Sequence, residues 1–208
     1  RFTHDRIQQA VYSLIADKDR NHAHLTIGRL LLANIPEDKR EAHLFDIVNQ
    51  WNWGKDIITD AGEKELLAGL NLEAGRKAKQ SSAFKAALEY FETGIALLKD
   101  DPWNVQYELC RNLHTEATEA AYLNGDFATM DKYYPIVLKN TRNLLEKVKP
   151  YEIRILAYKA ENKLLDAIKT GLELLKQLGE DFPSKPTMVH VMADLIKTKI
   201  KLSGKNND

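Results

Sequence analysis

The hydrophobic positions of the chain repeat with the period of an α-helix, most clearly between residues 84 and 98. Apolar side chains recur there every three or four residues and therefore line one side of a predicted helix. These residues are Phe84, Leu88, Phe91, Ile95 and Leu98. A second amphipathic helix is predicted before it, ending at the polar break Gln80–Ser82, and small residues on both helices allow a close crossing. Such a hairpin cannot bury its apolar face alone and needs further hairpins stacked on it.

The same period predicts helices along the rest of the chain, so the expected fold class is all-α. Three helices are expected first, over residues 1–17, 20–34 and 36–53. The hairpins begin after an approximate boundary between the two regions, predicted near Ile58 to Asp60. The first hairpin is the one described above, and the second joins predicted helices over residues 102–124 and 127–139. After a short piece at 141–148, the third hairpin joins predicted helices over residues 151–162 and 164–178. We predict a right-handed superhelix of antiparallel helical hairpins.

The C-terminal part is predicted to complete the stack. The second helix of the third hairpin is expected to bury a stripe formed by Leu164, Ile168, Leu172, Leu175 and Leu178. A last helix over residues 187–202 is expected to cover the end of the array with Val189, Met192, Ile196 and Ile200. The predicted division is a helical linker over residues 1–59, helical repeats with a capping helix over 60–203, and a disordered tail over 204–208.

Composition narrows the range of functions. The chain has 208 residues, of which 44% are hydrophobic and 29% charged, as expected for a globular protein. Thirty basic and thirty acidic residues cancel, which argues against a partner made of nucleic acid. The single cysteine, Cys110, fits a reducing compartment such as the cytoplasm. No apolar run approaches the roughly 20 residues of a membrane span. Arg1 in place of an initiating Met suggests a piece of something larger.

The hairpins resemble tetratricopeptide repeats with lengthened helices. The small or unbranched residues near the start of each second helix are Ala87, Met130 and Ala167, which lie 43 and 37 residues apart. The tetratricopeptide period is about 34. The best matches are Ala87, Phe91 and Pro102 in the first hairpin and Gly125-Asp126-Phe127 with Tyr134 in the second. The third hairpin departs further, because Gly171 stands where an aromatic residue is usual.

A sharper resemblance covers nearly the whole chain. The matching segments are FTHDRIQQAVYSLI, HLTIGRLLL, LFDIVNQWNWG, LNLEAGRKAKQSSAFKAALEYF, YLNGDF and LLEKVKPYEIRILAYKAEN. They are similar to a family of very large bacterial signalling proteins that join a serine/threonine kinase, a STAND-type ATPase, helical repeats and histidine-kinase domains. The chain resembles the segment after the ATPase, with residues 1–59 at the end of its winged-helix region. The resemblance implies a non-catalytic scaffold for protein interaction and signal coupling, whose parent protein is an ATPase and kinase.

The same resemblance suggests one nucleotide contact in the parent protein. In STAND ATPases a His-Asp pair that opens a winged-helix segment can let the histidine touch the phosphate of bound ADP. Thr3-His4-Asp5 looks similar, so His4 and Asp5 are expected to sense nucleotide there. The alternative is a helix-capping turn. The phosphate-binding pattern GxxxxGK[ST] is absent, and no cofactor is expected in this chain.

The other residues that could bind a metal or act in catalysis have little support from the sequence. His22 and His24 lie two residues apart, point in different directions on a helix, and have no further ligand nearby, so no metal site is expected. Cys110 lies on an apolar helical face with no histidine at catalytic spacing nearby, and we expect it to pack in the core. The remaining histidines stand alone and are expected to be surface or packing residues; they are His43, His114 and His190.

Two pairs of residues have both structural and functional interpretations. Glu116 and Glu119 share a helix face and are expected to be solvated. Trp51 and Trp53 could anchor a partner, because tryptophan is enriched in interface hot spots. We favour the alternative, in which they pack at the junction between the first three helices and the repeats.

The predicted binding surface is the concave groove that the inner helices of such a stack line. Its residues are Arg76, Lys79, Asn112, Glu119, Tyr122, Glu152 and Lys159. Side chains of both signs with one aromatic suit a protein, a peptide or a neighbouring domain more than DNA. The alternative is that these are ordinary solvated positions. Two rival functions stay open: a hydrolase-type enzyme, which needs convergent polar groups in a pocket, and an RNA-binding repeat, which needs a regular period and a basic face.

Overall fold

The computed structural model describes residues 16–183 and 187–203, which form eleven α-helices and no β-strand. The predicted all-α class is therefore confirmed. The chain divides into two compact units, residues 1–140 and 141–208, which we describe separately. The expected nucleotide-sensing pair His4 and Asp5 and the expected disordered tail at 204–208 lie outside the described residues.

The helices of the first unit mostly follow the predicted order. They are α1 (Asp17–Asn34), α2 (Glu37–Arg40), α3 (Leu44–Trp53), α4 (Ala61–Gln80), α5 (Phe84–Ala96), α6 (Pro102–Val105), α7 (Tyr107–Leu123) and α8 (Phe127–Asn140). A single 3-10 turn at Lys55–Ile57 follows α3. The second unit contains α9 (Leu144–Ala160), α10 (Leu164–Gln177) and α11 (Met188–Ser203).

In the first unit the helices pack as pairs, and each pair packs on the next. Helix α1 pairs with α3, α4 with α5, and α7 with α8, while α3 also contacts α4 and α5 contacts α7. The predicted small residues lie at the crossings: a Cβ on Gly75 would come within 2.6 Å of Phe91 Cδ1, and one on Gly94 within 2.6 Å of Leu113 Cδ2. Phe91 and Leu113 are fully buried. Close approach therefore depends on the two glycines.

Local signals in the sequence set several helix ends. Asp60 caps α4 by accepting a hydrogen bond from the backbone N–H of Glu63 at 2.7 Å. The predicted break between α7 and α8 is present, with Gly125 in the left-handed region at φ 74°. Asp126 then accepts a hydrogen bond from the Thr129 backbone N–H at 3.0 Å. Asn143 and Glu146 form a capping box at the start of α9.

Three predicted helix boundaries are wrong. The helix expected over 36–53 is divided into α2 and α3 by turns at residues 41–43. The helix expected over 102–124 is interrupted at Gln106, whose side-chain oxygen accepts a hydrogen bond from the Lys99 backbone N–H at 3.0 Å. The short piece at 141–148 and the helix from 151 are one helix, α9, because the capping box starts it six residues before Pro150.

The second unit departs most from expectation. Helix α10 pairs with α9 and buries Ala167 and Leu174 there. The stripe predicted to be buried is wrong, because Leu164, Ile168, Leu175 and Leu178 are exposed and Leu172 is half-buried. The apolar side chains of α11 that were expected to cover the end of the array are also exposed. Among the described residues, no helix is long and apolar enough to cross a membrane.

The boundary predicted near residue 59 falls inside the first unit, where α3 packs on α4. A division into a linker and a repeat array at that point stays a prediction.

Candidate functional site

A groove of about 920 Å³ lies in the first unit. Helices α1 and α2 form one wall, α4 forms the other, and α3 forms the floor. Its lining residues are Arg29, Leu32, Ala33, Glu37, Arg40, Glu41, Leu44, Ile47, Trp51, Leu66, Leu70, Glu73, Arg76, Lys77 and Gln80. We call this the α1–α4 groove.

The floor of the groove is apolar and firmly held. Leu44, Ile47 and Trp51 are buried on α3. The Trp51 indole N–H donates to Glu63 Oε1 on α4 at 3.0 Å, so its polar end is satisfied. Trp51 therefore packs between α3 and α4, as the favoured interpretation expected. The same interpretation is wrong for Trp53, which is 64% exposed.

An ion pair links the two walls beside this floor. Arg29 on α1 donates two hydrogen bonds of 2.7 Å, from Nε and Nη2, to the two carboxylate oxygens of Glu63 on α4. The bonds from Arg29, helped by the one from Trp51, lower the pKa of Glu63. Because Glu63 is largely shielded, this bidentate contact fixes the separation of α1 and α4 at one end of the groove.

The walls carry charges of both signs. The Lys77 ammonium donates to the Glu41 backbone carbonyl at 2.5 Å, and Arg40 Nε donates to the Ile35 carbonyl at 3.3 Å. The carboxylates of Glu37, Glu41 and Glu73 are exposed and form no ion pair within the described residues. The exposed acids and the anchored cations leave the rim close to neutral.

A cluster of ion pairs joins α4 to α7 beyond the groove. Arg76 Nε lies 2.7 Å from Glu116, Lys79 Nζ lies 2.5 Å from the same carboxylate, and Lys79 also bonds Glu119. Burial alone would lower the pKa of Lys79, but the bonds to the two carboxylates outweigh it and raise that pKa. The expectation that Glu116 and Glu119 are merely solvated is therefore wrong, because a neighbouring helix supplies their partners.

The predicted surface residues are thus brought together only in part. Arg76, Lys79 and Glu119 meet in this cluster, and only Arg76 also lines the α1–α4 groove. Asn112 and Tyr122 are half-buried on the same helix as Glu119, each about one turn from one of the clustered carboxylates.

The last two predicted surface residues belong to the second unit. Glu152 and Lys159 are exposed on α9, where the Glu152 carboxylate lies 3.5 Å from Lys149. Their role in partner binding stays a prediction.

One side-chain pair was missed from the sequence. His114 Nδ1 lies 3.6 Å from Cys110 Sγ and donates to the Cys110 carbonyl at 2.8 Å. Burial raises the pKa of the Cys110 thiol to about 12 and lowers that of His114, so both groups are neutral near pH 7. A neutral thiol is a poor nucleophile, which supports the expected packing role of Cys110. The spacing of four residues on a helix could have identified this contact.

No group of three metal-ligating side chains occurs in the described residues. His24, one of the two histidines considered from the sequence, instead stacks on Trp53 with ring centroids 5.5 Å apart.

The chain is similar to the hybrid signal transduction histidine kinase G of Dictyostelium discoideum. The two are 29% identical over 227 aligned residues that cover 98% of the chain. The chain spans only 7% of the length of that relative. No protein-family model matches the chain, and no solved structure matches it. The similarity indicates a segment of a signalling protein.

Proposed function

We propose that the chain is a non-catalytic segment of a large signalling protein and that its α1–α4 groove binds a segment of another protein or of a neighbouring domain. The observation that carries this proposal is the groove itself, with an apolar floor between walls of mixed charge. Its volume of about 920 Å³ can take several side chains of a bound segment.

The floor and inner walls supply the apolar part of the contact. Leu66 is 48% exposed on α4, and Leu32 and Leu70 are half-buried beside it. Apolar side chains that stay accessible next to a buried floor gain most from a partner that covers them. A bound segment is therefore expected to insert two or three apolar side chains.

The rim supplies specificity. Exposed carboxylates at Glu37, Glu41 and Glu73 stand near the anchored cations Arg40 and Lys77. A rim of both signs and little net charge favours an amphipathic protein segment with polar groups of both signs over a polyanion.

A partner that touches both walls would also couple them. The walls belong to different helical pairs, and a segment that favours one spacing of α1 and α4 shifts the unit toward that arrangement. We extend the proposal to a right-handed, tetratricopeptide-like superhelix that transmits such shifts between an ATPase module and kinase domains of the parent. The bacterial kinase–ATPase resemblance supports this extension, and the pairing of successive helices in the first unit is compatible with it.

The test uses a phage-displayed library of random dodecapeptides as the probe and the 208-residue chain as the target. Enriched sequences are synthesised and their affinities measured by fluorescence polarisation. We expect amphipathic peptides with dissociation constants of about 1–100 µM. A Leu66→Lys variant places a charge on the groove wall and should weaken them at least about tenfold.

The matched control is Leu145→Lys, the same change at an exposed leucine in the second unit. It should leave the affinity unchanged. Peptides that bind both variants like the wild type, or a library that yields no groove-dependent peptide, would refute the assignment of the groove. A labelled single-stranded RNA serves as a further probe, and tight, saturable RNA binding would favour the RNA-binding rival.

A further inference from the structure

A second cavity lies on the other side of α3 from the groove. Trp51 and Trp53 are two residues apart on this helix and point about 200° apart around its axis. Trp53 lines a pocket of about 460 Å³ with Asn21, Asn49, Asn52, Lys55 and Asp56. We call it the Trp53 pocket. It shares no lining residue with the α1–α4 groove.

The Trp53 ring is held in place but remains accessible. His24 stacks on it with an interplanar angle of 23°, and His24 Nδ1 lies 2.6 Å from the side-chain oxygen of Gln50. The indole is nevertheless 64% exposed, so its remaining surface is open to a partner. Its N–H has no acceptor within the described part of the chain. An immobilised, exposed indole with a free donor loses little entropy on binding.

The amides around Trp53 are oriented so that donors remain available. Asn49 accepts a hydrogen bond from the Tyr90 hydroxyl at 2.7 Å, which leaves both N–H groups of its amide to donate. Asn52 exchanges hydrogen bonds of 2.8 and 2.9 Å with the buried Asn71, which leaves one N–H. Together with the Trp53 indole N–H, these two amides give the pocket several N–H donors beside an exposed aromatic ring.

The two ionic groups of the pocket offset each other. The Lys55 ammonium lies 3.9 Å from the Asp56 carboxylate, and both are accessible. The pocket therefore carries no net charge, which disfavours a phosphate or a strongly basic peptide as its ligand.

We propose that the Trp53 pocket binds a proline-rich segment of a protein partner in the polyproline II conformation. Proline has no backbone N–H, so such a segment presents carbonyl acceptors without donors, which complements the N–H donors of Trp53, Asn49 and Asn52. Its rings are flat and apolar and can pack on the open indole. The conformation is largely formed before binding and needs no charge for recognition.

The proposal goes beyond the function assigned to the α1–α4 groove and does not depend on it. The two surfaces use opposite sides of α3, and their tests use different probes. Failure of the dodecapeptide selection at the groove leaves the Trp53 pocket unaffected.

The test titrates acetylated, amidated octaproline into the ¹⁵N-labelled 208-residue chain and follows indole and side-chain amide resonances. We expect a saturable shift of the Trp53 indole N–H, with a dissociation constant between about 10 µM and 1 mM because the contact is small. Trp53→Phe keeps a ring but removes the donor and should weaken binding about three- to tenfold. Trp53→Ala should abolish it.

The Asn49→Asp variant should weaken ligand binding without unfolding the protein. Aspartate keeps an oxygen for the Tyr90 hydroxyl but replaces the two N–H donors with an acceptor that repels the ligand carbonyls. We expect at least about fivefold weaker binding with an unchanged circular dichroism spectrum. The control variant is Phe182→Ala, an exposed aromatic residue in the second unit, which should bind normally.

The control probe is a glycine–serine octapeptide, which has the same length but no preformed conformation and should not bind. The proposal is overturned if wild type gives no saturable shift with octaproline. Equal affinity for the control peptide, or wild-type affinity in both Asn49→Asp and Trp53→Phe, would overturn it equally.

Discussion

Helices α5 and α10 carry similar apolar stripes but have different surroundings. On α5, Leu88 and Phe91 are buried, because α4 packs on one side and α7 on the other. On α10, Ile168 is 59% exposed, because that helix packs mainly on α9 and its outer side has no such neighbour within the second unit. An apolar stripe thus marks the side of a helix that can be buried, whereas the neighbouring helices decide whether it is.

The sharpest test of this difference compares truncation of the two stripes. Phe91→Ala should lower the free energy of unfolding of the first unit by about 3–5 kcal/mol, because it leaves a cavity in a closed core. Ile168→Ala should cost less than about 1 kcal/mol in the second unit. All three tryptophans lie in the first unit, so urea unfolding followed by tryptophan fluorescence reports on that unit, and circular dichroism reports on both. Equal effects would show that α10 has a covering partner in solution.

Replacing Gly75 and Gly171 by alanine should change the free energy of unfolding in opposite directions. Gly75→Ala would press a methyl group against the buried Phe91 ring, and overpacking should destabilise the first unit by about 1–3 kcal/mol. At Gly171 the nearest atom, Ile155 Cδ1, would lie 3.6 Å from the added methyl, which is an ordinary contact. Gly171→Ala should therefore stabilise α10 by up to about 1 kcal/mol through helix propensity. Thermal unfolding checks both, and stabilisation by Gly75→Ala would contradict the crossing described here.

The ion-pair cluster between α4 and α7 is a third feature of the first unit whose contribution to stability can be measured. Lys79→Glu would face Glu116 and Glu119 with a third carboxylate and should cost about 1–3 kcal/mol. The fourfold exchange R76E/K79E/E116K/E119K restores opposite charges and should recover more than half of that loss. Urea midpoints measure both variants, and no recovery would mean that packing of the stems, rather than charge, holds the cluster. Reversing the charges of Arg76 and Lys79 alone would therefore also lower the stability of the first unit, so this change cannot by itself test partner binding.

The smallest expected effect is a pH dependence confined to the first unit. Burial lowers the pKa of His114, so the unfolded chain takes up the proton more readily than the folded one. Stability is therefore complete above the unfolded histidine pKa of about 6.5 and falls as the pH decreases below it. The urea midpoint by tryptophan fluorescence should drop between pH 7.5 and 5.5, with Trp103, whose ring lies 5.1 Å from His114, as a local reporter.

His114→Gln removes this titration and should flatten the profile in that range. Glu63, whose pKa is lowered chiefly by Arg29, acts in a separate window. Its contribution is complete above the unfolded glutamate pKa of about 4.3 and is lost as the pH falls through its lower folded value. A wild-type profile that is flat from pH 7.5 to 5.5 would contradict the burial of His114.

Part of the candidate site could be predicted from sequence. The pattern placed Arg76 and Lys79 on one side of α4, because side chains three or four residues apart on a helix lie on the same side, and the predicted stacking of hairpins added Glu119 to that surface. It could not foresee that Glu116 pairs with them, since the partner helix lies about 40 residues away. The α1–α4 groove was missed because its lining comes from α1, α2, α3 and α4, and the pattern along each helix does not show that these helices meet.

The amino-acid sequence by itself determined that the chain is helical, where most helices begin and end, and which side of each is apolar. Those properties depend on contacts within about four residues, such as the Asp60 cap and the Gly125 turn. Only the tertiary structure decided that Trp51 is buried and Trp53 exposed, that α5 is covered and α10 is not, and that Arg29 finds Glu63. Burial and ion pairing depend on which distant segments meet, and periodicity along one helix carries no information about its neighbour.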